Sequence, residues 1–407
     1  MTELELTDAP FAAFVTYENV SETGDQLDSI AEKGPIWILG ECLELDGERE
    51  KKLLKEIIYS KLWFTYRKNF RAIGGTGYTS DAGWGCTLRC GQMMLAQALT
   101  WRHLGRDWKW TSNTHNPVYN QLLGEFLDCP ESLYSIQQIA QCGVDFNRAV
   151  GQWFGPNNMC HVIRKLAEFD HWSSLAVFVA MDMTVVFSEI KQVCRERRTQ
   201  IESGPPSPAA AAAAASASQP SFKPLLLFIP LRPGQDKIRE EYREAVKTCL
   251  KVKQSIGIIG GKPKHAFWFF GCQGNQLLYL DPHTTHMSVN PEMKSNIPDK
   301  SYHCSSINFL PISDLDPSIS LGFYCHDEEE VDQLYHQLVS TVVGYKQPLF
   351  EVFDRRPRNI PPLQDPRPQR RNLPEESFTE LVVNADVGSD TDEEYDIIDC
   401  RELSDMV

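Results

Sequence analysis

An α+β fold is the class this sequence predicts, and three observations predict it. Segments with apolar residues at helical spacing alternate with apolar runs of strand length. Two of those runs, 266–271 and 276–281, are separated by a short stretch with Gly274-Asn275 at its turn, the pattern of an antiparallel hairpin. A chain of 407 residues, 42% of them hydrophobic, can also bury a substantial core. The ordered domain is expected over 34–355, between a flexible arm at 1–33 and an unfolded tail at 356–407.

Order is expected to begin with a short apolar strand, Pro35-Ile36-Trp37-Ile38-Leu39, closed by Gly40. Over 48–64 leucines, isoleucines and aromatics recur at helical spacing, and the segment runs on through Thr65 to Phe70. Residues 74–85 contain five glycines and can hardly be regular structure, because glycine disfavours helix and strand interiors. A helix follows from Cys86 onward, with Leu88, Leu95 and Leu99 on one face and no proline to interrupt it. Further helices are expected at 134–142 and 159–169, and a strand at 175–180. The stretch 199–220 changes character, with Pro205, Pro206, Pro208 and seven consecutive alanines, and reads as a flexible surface insertion because strand patterns resume immediately. Then come a buried strand at 225–230, a helix at 238–250, a loop rich in hinge residues at 255–261, the hairpin, a strand at 321–325 and a helix at 328–343.

Composition excludes several classes. No run approaches the apolar length of a membrane span, and the first ten residues have neither a basic start nor an apolar signal core, so a cytoplasmic protein is expected. The 12 cysteines lie at wide, irregular spacings, which indicates neither a zinc site nor a disulfide framework; no metal and no cofactor is expected. A formal net charge of −15 argues against nucleic-acid binding. Much of it sits in 386–407, which carries nine acids and one arginine.

Cys86 stands out as a candidate nucleophile. At a helix N-terminus the unpaired backbone N–H groups favour thiolate over thiol, and Arg89 one turn on is expected to add to that field. The same pattern is that of a small cysteine buried on a core helix. A cysteine nucleophile needs a base and a group that orients the base. Asp281-Pro282-His283 supplies both at a strand end, where residues two apart point the same way and proline stops sheet pairing. An Asx-type turn would use the same tripeptide, and spacing does not exclude His265 or His286 as the base.

The stretches Gly83-Trp84-Gly85-Cys86-x-Leu88-Arg89-Cys90-Gly91-Gln92 and Leu280-Asp281-Pro282-His283-Thr284-Thr285 resemble the autophagin family, the autophagy cysteine proteases acting on GABARAP-type ubiquitin-like modifiers. Leu62-Trp63-Phe64-Thr65-Tyr66-Arg67-Lys68, Ile73-Gly74-Gly75-Thr76-Gly77 and Gly260-Gly261-Lys262-Pro263 extend the likeness, which runs from about Trp37 to Glu351. The resemblance implies a papain-like fold with a small auxiliary subdomain and a Cys86, His283, Asp281 triad. It implies that Tyr66 assists at the oxyanion hole, and that Trp153 with the loop around Gly260, Gly261, Lys262 and Pro263 covers the substrate groove. It implies cleavage of the modifier precursor after a C-terminal glycine, and hydrolysis of the amide joining that glycine to phosphatidylethanolamine. The enzyme would act as a monomer and meet autophagic membranes only through its substrate. Thr87, where methionine is common, and Tyr78, where proline is, depart from the family pattern.

The tails carry a second signal. Tyr395 and Ile398, three apart in an acidic context, suit strand addition onto a sheet edge with two apolar pockets and resemble the motif that docks on GABARAP-type modifiers. Tyr17 and Val20 form a weaker copy near the other end.

Overall fold

The computed structural model describes residues 34–361 apart from 113, 196–221, 291, 293–296, 305 and 346. Both docking motifs, the alanine-rich insertion and most of the two tails lie outside the described residues.

In chain order the strands and helices are β1 (Pro35–Ile38), β2 (Glu41–Glu44), α1 (Glu48–Tyr59), β3 (Tyr66–Lys68), α2 (Cys86–His103), α3 (Pro117–Gly124), α4 (Ile136–Gly143), α5 (Pro156–Ala167), β4 (Ala176–Val179), β5 (Thr184–Val186) and α6 (Phe187–Arg195). They continue with β6 (Leu225–Leu231), α7 (Glu240–Lys251), β7 (Ser255–Lys262), β8 (His265–Gln273), β9 (Gln276–Leu280), β10 (Thr285–Met287), β11 (Asn308–Pro311), β12 (Ile319–Cys325), α8 (Glu328–Leu338) and β13 (Glu351–Phe353).

Side chains on a strand alternate between faces, and here both faces are apolar, so the sheet must be covered twice. On β6, Leu226 and Phe228 join one hydrophobic cluster while Leu225, Leu227 and Ile229 join another; on β8, Trp268 and Phe270 separate from Phe267 and Phe269 in the same way. The main sheet runs β11-β9-β8-β7-β12-β6-β4, with β1 on the end of β8 and β2 beside β1. Its pairings are antiparallel except β4 with β6. Helices α2 and α5 cover one face. Helices α6, α7 and α8 pack their apolar residues into the cluster on the other. A helix laid on a largely antiparallel sheet, with its N-terminus carrying a cysteine, is the papain-like arrangement that the resemblance implied.

Helix α2 is buried on every side from Cys86 to Trp101, not only along the leucine face, because α3, α4 and α5 close over it. Its polar residues therefore need internal partners: Thr100 Oγ1 donates to Ala96 O at 2.8 Å, and Gln92 Nε2 to Tyr134 O at 2.7 Å.

Two expectations are corrected. Residues 255–261 are not a hinge loop but most of β7, a central strand between β12 and β8. Glycine lowers strand propensity, yet here it permits close approach: Gly257 has φ of +99°, and a Cβ on it would lie 2.3 Å from Phe269 O. The helical spacing read over 48–64 gives a helix that stops at Tyr59, and Tyr66–Lys68 in the stretch that follows is strand β3, paired in parallel with β10.

The packed chain continues past 355, since Arg356 clasps Glu189 with Nε at 2.5 Å and Nη2 at 2.8 Å. Either side of the 196–221 stretch the backbone closes on itself, with Lys223 N donating to Cys194 O at 2.9 Å. Among the described residues no helix is long and apolar enough to cross a membrane.

Candidate active site

Cys86 is the first residue of α2 and is wholly buried. The chain before it is fixed by Asp81. The Asp81 carboxylate accepts from Arg67 N at 2.7 Å and from Arg89 Nε and Nη2 at 2.8 and 3.0 Å, while its backbone carbonyl accepts from Gly85 N at 2.8 Å. A Cβ on Gly85 would lie 2.2 Å from Asp81 Oδ2, so glycine lets the carboxylate tuck under the helix start. With no side chain on Gly85 to cap it, the helix presents first-turn N–H groups around Cys86.

Arg89 does not serve the thiolate as the sequence suggested. Its guanidinium is fully buried and spent on Asp81 and on Asp128, whose Oδ1 lies 2.8 Å from Nη1. Burial opposes its charge, but the two carboxylates more than compensate and hold it protonated.

The imidazole comes from the end of β9, the strand beside β8. Strand β9 ends at Leu280, and Asp281 Oδ1 accepts from both His283 N at 2.9 Å and His283 Nδ1 at 2.5 Å. The Asx turn and the orienting carboxylate are thus one and the same oxygen. With Nδ1 committed, Nε2 is buried without a partner of good geometry among the described residues and faces the Cys86 thiol. Burial pushes the His283 pKa down, but the bond to Asp281 and the neighbouring sulfur outweigh it and raise the pKa to about 9. At Cys86 burial disfavours the thiolate, yet His283, the Ala266 backbone N–H and the Trp153 indole together bring the pKa below the ordinary thiol value. Burial holds Cys90, one turn along, well above that value.

The parallel ribbon of β3 and β10 brings Tyr66 to this place. Tyr66 N donates to Pro282 O at 2.9 Å, and Trp63 Nε1 donates to Asp281 O at 2.7 Å, so the two segments are sewn together. The Tyr66 ring meets His283 edge-on at 5.4 Å, and its phenol lies beside the Cys86 sulfur. Burial, and after it the sulfur, raise the phenol pKa, so it stays a hydrogen-bond donor.

Trp153 lies directly over the sulfur, its Nε1 3.3 Å from Cys86 Sγ, although the side chain is 42% exposed. Of the remaining predicted residues, Gly260 and Gly261 are buried in β7, while Lys262 and Pro263 are exposed where β7 turns into β8. That turn leads into His265, whose ring lies 5.0 Å from His283, and Ala266, whose N–H reaches the sulfur.

The two alternative histidines have other tasks. His265 is exposed and its Nδ1 is 3.3 Å from Pro263 O. His286 Nδ1 pairs with Thr65 Oγ1 at 2.7 Å, and burial drops its pKa to about 4. Sequence reasoning missed Asp81, Asp128 and Arg67. Arg67 is buried, donates to Met287 O and Ser301 O at 3.0 Å, and lies over the Tyr302 ring. An arginine in an otherwise apolar or glycine-rich stretch was the available signal.

A thiol held towards thiolate, an imidazole oriented by a carboxylate and a phenolic donor beside them can carry out acyl transfer. Comparison with known proteins agrees with this chemistry. Residues 51–337 match the family model described as the peptidase C54 catalytic domain. The chain is similar to cysteine protease ATG4B of Xenopus laevis, 45% identical over 351 residues that cover 86% of this chain and 91% of the relative. It is similar to cysteine protease ATG4A of Xenopus laevis, 41% identical over 96% of this chain and 98% of the relative. With cysteine protease ATG4A of Homo sapiens it is 44% identical over 81% of this chain and 85% of the relative.

Proposed function

The chain belongs to the peptidase C54 family of autophagy-related cysteine proteases, and from that premise we propose that it cleaves GABARAP-type ubiquitin-like modifiers after a glycine near their C-terminus. Two bonds are cut: the peptide bond of the precursor, and the amide that joins the glycine to phosphatidylethanolamine. The observation that carries the reading is the Cys86 thiol at the start of a helix, with both the His283 imidazole and the Tyr66 phenol beside it.

In this reading the Cys86 thiolate attacks the glycine carbonyl, and the developing oxyanion is held by the Tyr66 phenol and the first N–H groups of α2. His283, charged and steadied by Asp281, gives its proton to the departing nitrogen, leaving a thioester. Water, losing a proton to His283, then opens the thioester and restores the thiol pair. The leaving amine is a peptide N-terminus in one reaction and the lipid ethanolamine in the other, so one site serves both. Trp153 and the Lys262-Pro263 turn cover the groove, and a substrate tail must displace the indole to reach the sulfur. The working unit is the protease domain, acting as a cytoplasmic monomer; Tyr395 with Ile398, and Tyr17 with Val20, dock on the modifier.

Tagged GABARAP-type precursor and tagged ubiquitin, each incubated with the enzyme, test this. Cleavage of the precursor alone is expected. Cleavage of ubiquitin would mean a deubiquitinase-like enzyme, and inertness towards both would mean a modifier-binding scaffold.

The pair should also set the pH profile. The thiolate is protonated on the acid side, and the imidazolium loses its proton as pH rises through about 9, so kcat/KM should form a bell with its alkaline limb near that pH. Asp281→Asn, which weakens the support for the imidazolium, should move that limb to lower pH. An unmoved limb would remove Asp281 from the scheme.

Deleting 386–407 should weaken capture of membrane-bound modifier by about tenfold, through lost avidity, while cleavage of a short soluble substrate persists. Equal loss on both substrates would contradict a docking role for Tyr395 and Ile398.

A further inference from the structure

Trp153 reaches Cys86 from a loop with little packing of its own, and something must hold it there. The loop turns tightly: Gln152 N donates to Ala149 O at 3.0 Å, Ala149 N donates to Gln152 Oε1 at 2.9 Å, and Gly151 has φ of +88°. Against Gly151 lies the ring of Tyr78. A Cβ placed on Gly151 would meet Tyr78 Cζ at 2.5 Å and its hydroxyl oxygen at 2.6 Å, so the hydroxyl end of the ring rests against the glycine. The same ring also meets Trp84 edge-on, with centroids 5.9 Å apart.

Trp84 is a firm support. It is 7% exposed, its Nε1 donates to Ser80 O at 3.1 Å, and it stands two residues before the nucleophile. Tyr78 is fixed through its backbone, its carbonyl accepting from Ile73 N at 3.1 Å. The phenol ring, 43% exposed, thus bridges the nucleophile loop and the loop that carries the indole.

We propose that Tyr78 is a positioning residue that sets how readily Trp153 leaves the Cys86 sulfur, by bracing Gly151 against Trp84. This deepens the proteolytic reading, because it assigns control of access to the same thiol. The contact is made by ring carbons Cζ and Cε2 together with the hydroxyl oxygen, and phenylalanine keeps the ring carbons. Taking the ring away frees the loop and raises the population in which the sulfur is uncovered.

Alkylation of Cys86 by iodoacetamide in the full-length protein, followed by mass analysis of the peptide containing Cys86, reads that population without any substrate. Tyr78→Ala should speed alkylation by about fivefold, and Tyr78→Phe should restore the slow rate, consistent with the coupling usual for side chains in contact. In a Trp153→Ala background, where the cover is already gone, Tyr78→Ala should add nothing. With modifier precursor, Tyr78→Ala should act on KM and leave kcat unchanged. Alkylation of Tyr78→Ala at the wild-type rate, or an equal acceleration with and without Trp153, would overturn the proposal. Failure of the wild-type enzyme to cut the precursor would sink the substrate assignment but not this one, which the alkylation rates decide.

Discussion

Cys86→Ser should abolish cleavage of a GABARAP-type precursor, lowering kcat by roughly 10⁴-fold or more, as loss of the nucleophile does where nucleophile and base act as a unit. The surroundings of Cys86 are matched to sulfur. His283 is held as an imidazolium by Asp281, and the Ala266 N–H and the Trp153 indole both stabilise a thiolate. A serine hydroxyl, far less acidic, would stay protonated opposite an imidazolium that cannot accept its proton. The same variant should fold and melt like the parent, because serine is nearly isosteric, and should still bind the modifier. Residual cleavage above about one per cent of the parent rate would show that another group attacks the carbonyl.

The second large effect concerns stability. Arg89→Met should destabilise the domain by about 3–5 kcal/mol, the usual consequence of leaving buried carboxylates without their cation. Asp81 and Asp128 both lean on Arg89, and all three side chains are fully buried. Asp81 is already pushed upward in pKa by burial against the pull of Arg89, so without the guanidinium it would take up a proton or unfold the loop. Denaturant melts should show the loss, and it should shrink when Asp81→Asn and Asp128→Asn are added to remove the orphaned charges. An Arg89→Met melt indistinguishable from the parent would mean that the cluster contributes no net stability. Activity should fall with stability in the single variant, since Asp81 fixes the chain immediately before Cys86.

Much of this was legible in the sequence where a local rule governs. The helix beginning at Cys86, the Gly274-Asn275 hairpin and the Asp281-Pro282-His283 strand end are all set by neighbours within a few residues. What the chain order hid was non-local. Strand β3 is three residues long and exists because β10, more than two hundred residues on, pairs with it; no periodicity within 62–70 could announce that. Arg89 looked like a field acting on Cys86 because Asp128, its second partner, is 39 residues away. The glycines of β7 suggested a hinge when they are there to let neighbouring backbones and side chains close in. The indole bond to Cys86 needed the fold as well, since nothing around residue 153 distinguishes a covering tryptophan from a core one.

The hydrogen bond between Lys223 N and Cys194 O has a consequence for how this enzyme can vary. It brings the two flanks of the 196–221 stretch together, so added length between them costs only a slowly growing chain-closure entropy. A change of length there should therefore cost the fold little, and the position is a natural berth for a grafted reporter.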